Sequence, residues 1–211
     1  AGSAIDLTYA DGHVNAILQA WYPGARGGKA VAELLFGKAS PCGKLPVTFY
    51  KNSEDLPPFE NYSMKNRTYR YMETEPLYPF GYGLTYGDLS VTKAVMAEPL
   101  SENGTVLTVE IKNEGKRTVK EVVQVYVKNL DSQDAVPNFS LCAFQKVECG
   151  PGERKTLSLS INSQSFTVVK EDGSRAADGT RFQLFVGTSQ PDERSRVLTG
   201  KEPIAILAVR Q

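Results

Sequence analysis

A single histidine, His13, occurs in 211 residues, and that scarcity removes His-based catalytic triads and multi-histidine metal sites together. Lying between Gly12 and Val14, it reads as a loop residue rather than a catalyst. Cysteine is almost as scarce. Cys42, Cys142 and Cys149 are odd in number and form no CxxC pair, which argues against a disulfide framework and a zinc cluster, and for a reducing, cytoplasmic setting rather than secretion. No run of about 18 apolar residues is long enough to span a bilayer, and the opening AGSAIDL has neither the basic nor the apolar region of a signal peptide. An excess of one charge is missing too. Lys plus Arg is 24 and Asp plus Glu is 24, so the chain carries no electrostatic footprint for nucleic acid or an anionic membrane. There is no GxSxG, GxGxxG or Walker loop, and nothing asks for a cofactor or a metal. If the chain is catalytic, carboxylates must do the work.

What is present is enough apolar material for a core, 41% of residues, and an uneven spread of aromatics. Of 20 Phe, Tyr and Trp residues, 14 fall in residues 1–87, whereas charge is balanced there at 8 basic and 8 acidic side chains. Two differently built parts follow. In the first, Val14–Trp21 (VNAILQAW) reads as a buried strand ending in the turn Tyr22-Pro23-Gly24. Gly28–Phe36 then has Ala30, Val31, Leu34 and Leu35 at helical spacing, with Gly37 as the terminator beyond it. Strand, glycine-rich turn and helix open a βαβ unit, and that turn is either a plain tight turn or an anion seat at a helix start. Another turn, Ser40-Pro41-Cys42-Gly43, leads to Lys44–Tyr50, whose Pro46 implies an edge or irregular strand.

From Leu56 to Tyr86 periodicity disappears, while eight aromatics and four prolines accumulate. Flexible linkers are polar and aromatic-poor, so this segment must be pinned to something. Either it packs along its own two domains as a strap, or Tyr62, Arg67, Tyr69, Arg70 and Tyr71 cover a surface belonging to a domain outside this sequence, or line a sugar site by stacking and multidentate hydrogen bonding. Asn61, Asn66, Asn103 and Asn138 each begin an Asn-X-Ser/Thr triplet, a motif frequent enough by chance that we expect none to be glycosylated.

The second part, from about Leu89, is a run of period-2 segments. Ser90–Ala97, Thr105–Lys112, Val119–Val127, Leu141–Val147, Lys155–Ile161, Thr167–Lys170, Phe182–Val186 and Ile204–Val209 are the strands expected, divided by turn signals such as Asn113-Glu-Gly115 and Gly150-Pro-Gly152. Seven or eight short strands over about 120 residues make a sandwich of immunoglobulin or fibronectin type III kind. The fold class is therefore α+β overall, a partial α/β sandwich piece followed by an all-β sandwich. Val123, Val125 and Val127 alternate with Gln124, Tyr126 and Lys128 as in a strand with one face in the core.

The runs AILQAWYPGARGGKAVAELLFGKASPCGKLPVTF and RTYRYMETEPLYPFGYGLTY, followed by FQKVECGPGE and FQLFVGTSQPD within the sandwich, closely resemble the C-terminal portion of glycoside hydrolase family 3, the β-glucosidase and β-xylosidase family. The resemblance covers nearly the whole chain. It implies that residues 1–50 correspond to the end of an α/β sandwich domain, 51–87 to a connecting strap and 88–211 to a fibronectin type III-like domain. It also implies that the (β/α)₈ barrel with its aspartate nucleophile lies outside this sequence, as does the acid/base glutamate, which precedes the region matching Ala1–Leu7. The partners implied are that barrel with the rest of the α/β domain, and a β-linked oligosaccharide or glycoside.

The chemistry agrees without the family. Retaining glycoside hydrolysis needs two carboxyl groups about 5–5.5 Å apart, one of them kept protonated. Glu54 with Asp55 and Glu73 with Glu75 are the nearest pairs, and both sit in charged segments that read as solvated. No residue is assigned a catalytic role. Two functions remain: a structural, subsite-shaping part of a hydrolase, or a non-catalytic carbohydrate-binding or adhesion module. An incomplete sheet and the apolar stripe of the helix should also make the N-terminal piece associate, with a second copy as a homodimer or with the remainder of its own enzyme.

Overall fold

The computed structural model describes residues 1–210. Its order comes mainly from seven antiparallel strands in two sheets. β1 (Leu89–Met96), β2 (Thr105–Asn113) and β5 (Arg154–Ile161) form one sheet in the order β1-β2-β5, and β3 (Val119–Asn129), β4 (Ser140–Cys149), β8 (Arg181–Gly187) and β9 (Ile204–Val209) form the other in the order β4-β3-β8-β9. β2 shows why they meet: TVLTVEIKN buries every second side chain, placing Leu107, Val109 and Ile111 in one layer against Val123, Val125, Leu184 and Val186 of the other. The expected strand Thr167–Lys170 shrinks to β6 (Val168–Val169), paired with β7 (Arg175–Ala176).

β3 departs from simple alternation. Val119, Val123, Val125 and Val127 face the core as the pattern predicts, but Gln124 and Tyr126 on the opposite face are buried as well, because the strap lies over them.

The N-terminal part is arranged differently. α1 (Thr8–His13) ends on His13, which the sequence placed in a loop; the imidazole stacks on Tyr9 at 4.0 Å, and its Nδ1 meets the Tyr9 carbonyl at 2.7 Å, one helical turn earlier. Val14–Trp21 is no buried strand. It has no ladder partners, Trp21 takes a left-handed φ of 52°, and Val14, Ile17 and Leu18 are exposed; a strand needs neighbours to hydrogen-bond. The helix appears as α2 (Gly27–Leu35), with Gly37 beyond it at φ +65°, the left-handed C′ position that glycine tolerates. Lys44–Tyr50 forms no continuous ladder but joins the strap at two points, a bridge between Phe49 and Tyr78 and backbone hydrogen bonds between Leu45 and both Gly81 and Tyr82. Two further helices complete the chain: α3 (Thr68–Tyr71) in the strap and α4 (Glu193–Thr199) between β8 and β9. Among the described residues, no helix is long and apolar enough to cross a membrane.

Candidate functional site

The strap is held on the outer face of the four-stranded sheet by polar ties at three places. Lys44 Nζ pairs with Glu121 Oε1 at 2.8 Å and donates to the Gly83 carbonyl at 2.7 Å, with both charged side chains nearly buried. Gln124 Nε2 donates to the carbonyls of Gly81 (2.9 Å) and Thr188 (3.0 Å), while the Tyr126 hydroxyl donates to Gln124 Oε1 at 2.6 Å. That contact dictates a glycine: Gly81 has φ +76°, and a Cβ there would lie 2.4 Å from Tyr126 Oη and 2.5 Å from Gln124 Oε1. Asn138 Nδ2 donates to the carbonyls of Tyr69 (2.9 Å) and Met72 (2.8 Å). Its Asn-X-Ser triplet therefore spends its amide on the strap.

These ties decide where the expected site residues go. Tyr69 is stacked on Phe80 at 4.3 Å, stands edge-on to Tyr126 at 6.2 Å and accepts a hydrogen bond from the Leu141 amide through its hydroxyl, so its ring joins strap to sandwich. Arg67 turns inward on its own loop, donating to the carbonyls of Pro58, Asn61 and Ser63. Arg70, 5.8 Å over the Tyr69 ring, and Tyr71 line a cavity of about 420 Å³ at the end of the sandwich near β6 and β7. Tyr62 stands apart, 89% exposed. The five residues are thus distributed rather than gathered round one ligand.

A second cavity, of about 250 Å³, opens between the strap and the β8–α4 turn. Tyr69, Met72, Pro76 and Phe139 form its apolar wall, and Glu73, Glu75, Asp192 and Arg194 line it from opposite sides. Sequence reading reached Glu73 and Glu75, but missed Thr48, Gln190, Asp192 and Arg194. The detectable signal was the helix start: Asp192 caps α4 by accepting from the Ser195 amide at 2.7 Å. Arg194 at the first turn donates from Nε to the Leu77 carbonyl at 3.1 Å.

Neither pair of neighbouring carboxylates is set up as an acid and a base. Asp55 and Glu54 lie in a short 3₁₀ turn, Ser53–Asp55, capped by Asn52. Glu73 meets Lys65 at 3.4 Å, and Glu75 accepts from Lys51 at 2.7 Å; that hydrogen bond holds the Glu75 carboxyl below the usual carboxylate range. A glycosidic general acid needs the opposite displacement. Each carboxyl whose pKa is displaced moves down, Asp6, Asp131, Glu153, Asp172 and Asp178 included. Burial pushes the Cys142 thiol up to about 12, far from the thiolate a nucleophile requires. Among the described residues, no three His, Cys, Asp or Glu side chains are placed to hold a metal ion.

The architecture and motifs have close counterparts. Residues 1–86 match the Glycosyl hydrolase family 3 C-terminal domain and residues 121–190 a Fibronectin type III-like domain. A xylan 1,4-beta-xylosidase of Xylanibacter ruminicola is 40% identical over 203 residues, covering 94% of this chain and 23% of its own length. A periplasmic beta-glucosidase of Salmonella typhimurium is 32% identical, covering 88% of this chain and 26% of its own. The crystal structure of a beta-glucosidase from Listeria innocua in complex with glucose superposes with a TM-score of 0.78 at 27% identity, over 98% of this chain and 29% of that one. The chain spans about a quarter of the length of the curated relatives it matches. With both of its parts matched in their expected order, the chain belongs to glycosyl hydrolase family 3 and corresponds to the C-terminal region of its members.

Proposed function

We propose that this chain is the non-catalytic C-terminal part of a retaining β-glycosidase that hydrolyses terminal non-reducing β-linked sugars of the glucoside or xyloside type. It buttresses a catalytic barrel outside these residues and shapes the outer sugar subsites. The observation that carries the reading is a division of surfaces. The inner side of the strap is committed to the sandwich through Lys44, Gly81 and Tyr69, while Leu35, Phe36, Phe59 and Tyr62 stand more than two-thirds exposed. Large apolar side chains exposed in neighbouring pairs, Leu35 with Phe36 and Phe59 with Tyr62, support an interface on this side. Tyr62 is the barrel-facing residue we assign first; Arg70 and Tyr71 would border the outer subsites, and Arg67 and Tyr69 would hold the loop that presents them. The apolar strip Val14–Leu18 and the exposed end of α2 fit the remainder of the α/β domain or, when that is not supplied, a second copy of the chain.

The direct test is turnover of aryl β-glucosides and β-xylosides by the isolated chain at high protein concentration. None is expected. Turnover that vanishes on changing Glu54, Asp55, Glu73 or Glu75 overturns the reading. Light scattering over a concentration series tests association: the full chain should self-associate, and residues 88–211 alone should not.

A further inference from the structure

The Asn103-Gly-Thr105 triplet closes the connection from β1 to β2, outside every element assigned to the glycosidase reading. Ser101 and Gly104 face each other there across Glu102 and Asn103, each backbone amide donating to the other's carbonyl at 3.0 Å. Gly104 cannot be exchanged. It is buried at φ +95°, and a Cβ would collide with the Ile161 carbonyl oxygen and the Ser163 amide nitrogen. The turn therefore requires glycine directly after an exposed asparagine.

That order of residues is the one most open to self-modification, because the main-chain nitrogen after an asparagine can attack its side-chain carbon and glycine puts no side chain in the way. Asn103-Gly104 is the one Asn-Gly pair in the sequence. Asn52-Ser53 and Asn162-Ser163 are held by their side chains: each Oδ1 caps a 3₁₀ turn, accepting from the Asp55 amide at 3.0 Å and the Gln164 amide at 2.8 Å. At Asn15 the methyl of Ala16 crowds the attacking nitrogen. Asn103 is different. Its main-chain amide is held by Ser101 Oγ at 3.3 Å, but its carboxamide meets no hydrogen-bond partner among the described residues.

We propose that Asn103 deamidates spontaneously, and that the isoaspartate formed lengthens the β1–β2 turn and loosens the start of β2. The Gly104 nitrogen, its proton lost to hydroxide, bonds to Asn103 Cγ; the Cγ–Nδ2 bond breaks and ammonia leaves, closing a succinimide ring. Water then opens the ring. Cleavage at Cγ gives aspartate in a normal chain, whereas cleavage at the Asn103 main-chain carbonyl carbon gives isoaspartate, with the chain running through Cβ and Cγ. The sum consumes water and releases ammonia, and it needs no oxidant. In the closed turn the Gly104 amide donates to Ser101, so local opening sets the rate. The added main-chain methylene parts Ser101 from Gly104 and displaces Thr105, which is buried with its Oγ1 on the Glu98 carbonyl at 2.5 Å.

The test is ageing of the full chain at mildly alkaline pH, in native buffer and in urea, read by peptide mapping, by an isoaspartyl methyltransferase assay and by thermal denaturation. In native buffer Asn103 should convert ahead of Asn15, Asn52 and Asn162 and give both products, and in urea it should convert about tenfold faster or more. Aged protein should melt about 2–4 °C lower. Asn103→Asp adds the charge without lengthening the chain and should keep the starting Tm, and Asn103→Gln should keep its Tm on ageing. An Asn103 that stays intact in native buffer while converting in urea overturns the proposal, as does earlier conversion at Asn15, Asn52 or Asn162. So does an isoaspartate-rich sample whose Tm has not moved, or an equal decline in Asn103→Gln.

Discussion

Residues 1–87 and 88–210 hold apolar side chains in quantity, yet they dispose of them in opposite ways. Every member of the main core comes from Leu89 onward, and among the described residues before it the buried apolar side chains are Phe49, Pro76, Leu77 and Pro79. Leu77 belongs to the strap and Phe49 is bridged to it at Tyr78, away from the piece around α2. Apolar character in a sequence records burial in the complete assembly, and it does not say which chain provides the cover. The sandwich closes on itself through seven strands; the α/β piece has the right residues but not the neighbouring strands that would pair with it.

Hydrogen exchange and limited proteolysis bear on this contrast most strongly. Amides of β2 and β3 should exchange several orders of magnitude more slowly than those of residues 8–37, which lack ladder bonds or tertiary cover. Protease should remove about the first 43 residues and stop near Lys44, where the buried ion pair begins the strap's attachment. A resistant fragment starting at Gly87 instead would break the comparison, since the strap would then behave like the α/β piece.

Severing the attachment should come next in size. Lys44→Met leaves Glu121 buried without its partner and should cost about 3–5 kcal/mol in urea unfolding. Replacing both, Lys44→Met with Glu121→Leu, should recover most of that loss.

The two parts should also answer oppositely to one chemical change. Gly81→Ala places a methyl against Gln124 and Tyr126 at a positive φ, for an expected loss of about 2–4 kcal/mol. Gly28→Ala adds a methyl that meets nothing within 4 Å and should raise the helical circular-dichroism signal of α2, stabilising it by about 0.5–1 kcal/mol.

The smallest effect concerns pH. The hydrogen bond from Lys170, followed by that from the Ser132 hydroxyl, lowers the Asp178 pKa. A carboxyl lowered on folding stabilises above its unfolded value and loses that contribution as pH falls through the folded one. Tm should therefore decline below about pH 4, and less steeply for Lys170→Met.

What was legible follows the same divide. β2 and β5 could be read to within a residue because one face is buried and one is wet, which writes period 2 into the sequence. β3 misled at Gln124 and Tyr126: a polar amide and a tyrosine on the outer face imply water, and only the strap's position puts them under cover. Val14–Trp21 misled the other way, its composition matching a sheet that these residues do not contain. Of the cavity, Glu73 and Glu75 stood out as charges. Thr48 and Gln190, whose buried Oγ1 and Oε1 lack a partner, did not, since an unpaired buried oxygen has no signature in sequence.

The strap's ties also set an order of assembly. Each joins an early residue to a later one: Lys44 to Glu121, Gly81 to Gln124, Tyr69 to Asn138, Leu77 to Arg194 across 117 positions. On the ribosome the aromatic-rich segment emerges first and finds no surface to occupy until β3, β8 and α4 have been synthesised and have paired. Its prolines and tyrosines must wait in the open for more than a hundred residues of further translation. The nascent chain is most exposed to chaperones in that interval, and the sandwich, made after the strap, is what ends it.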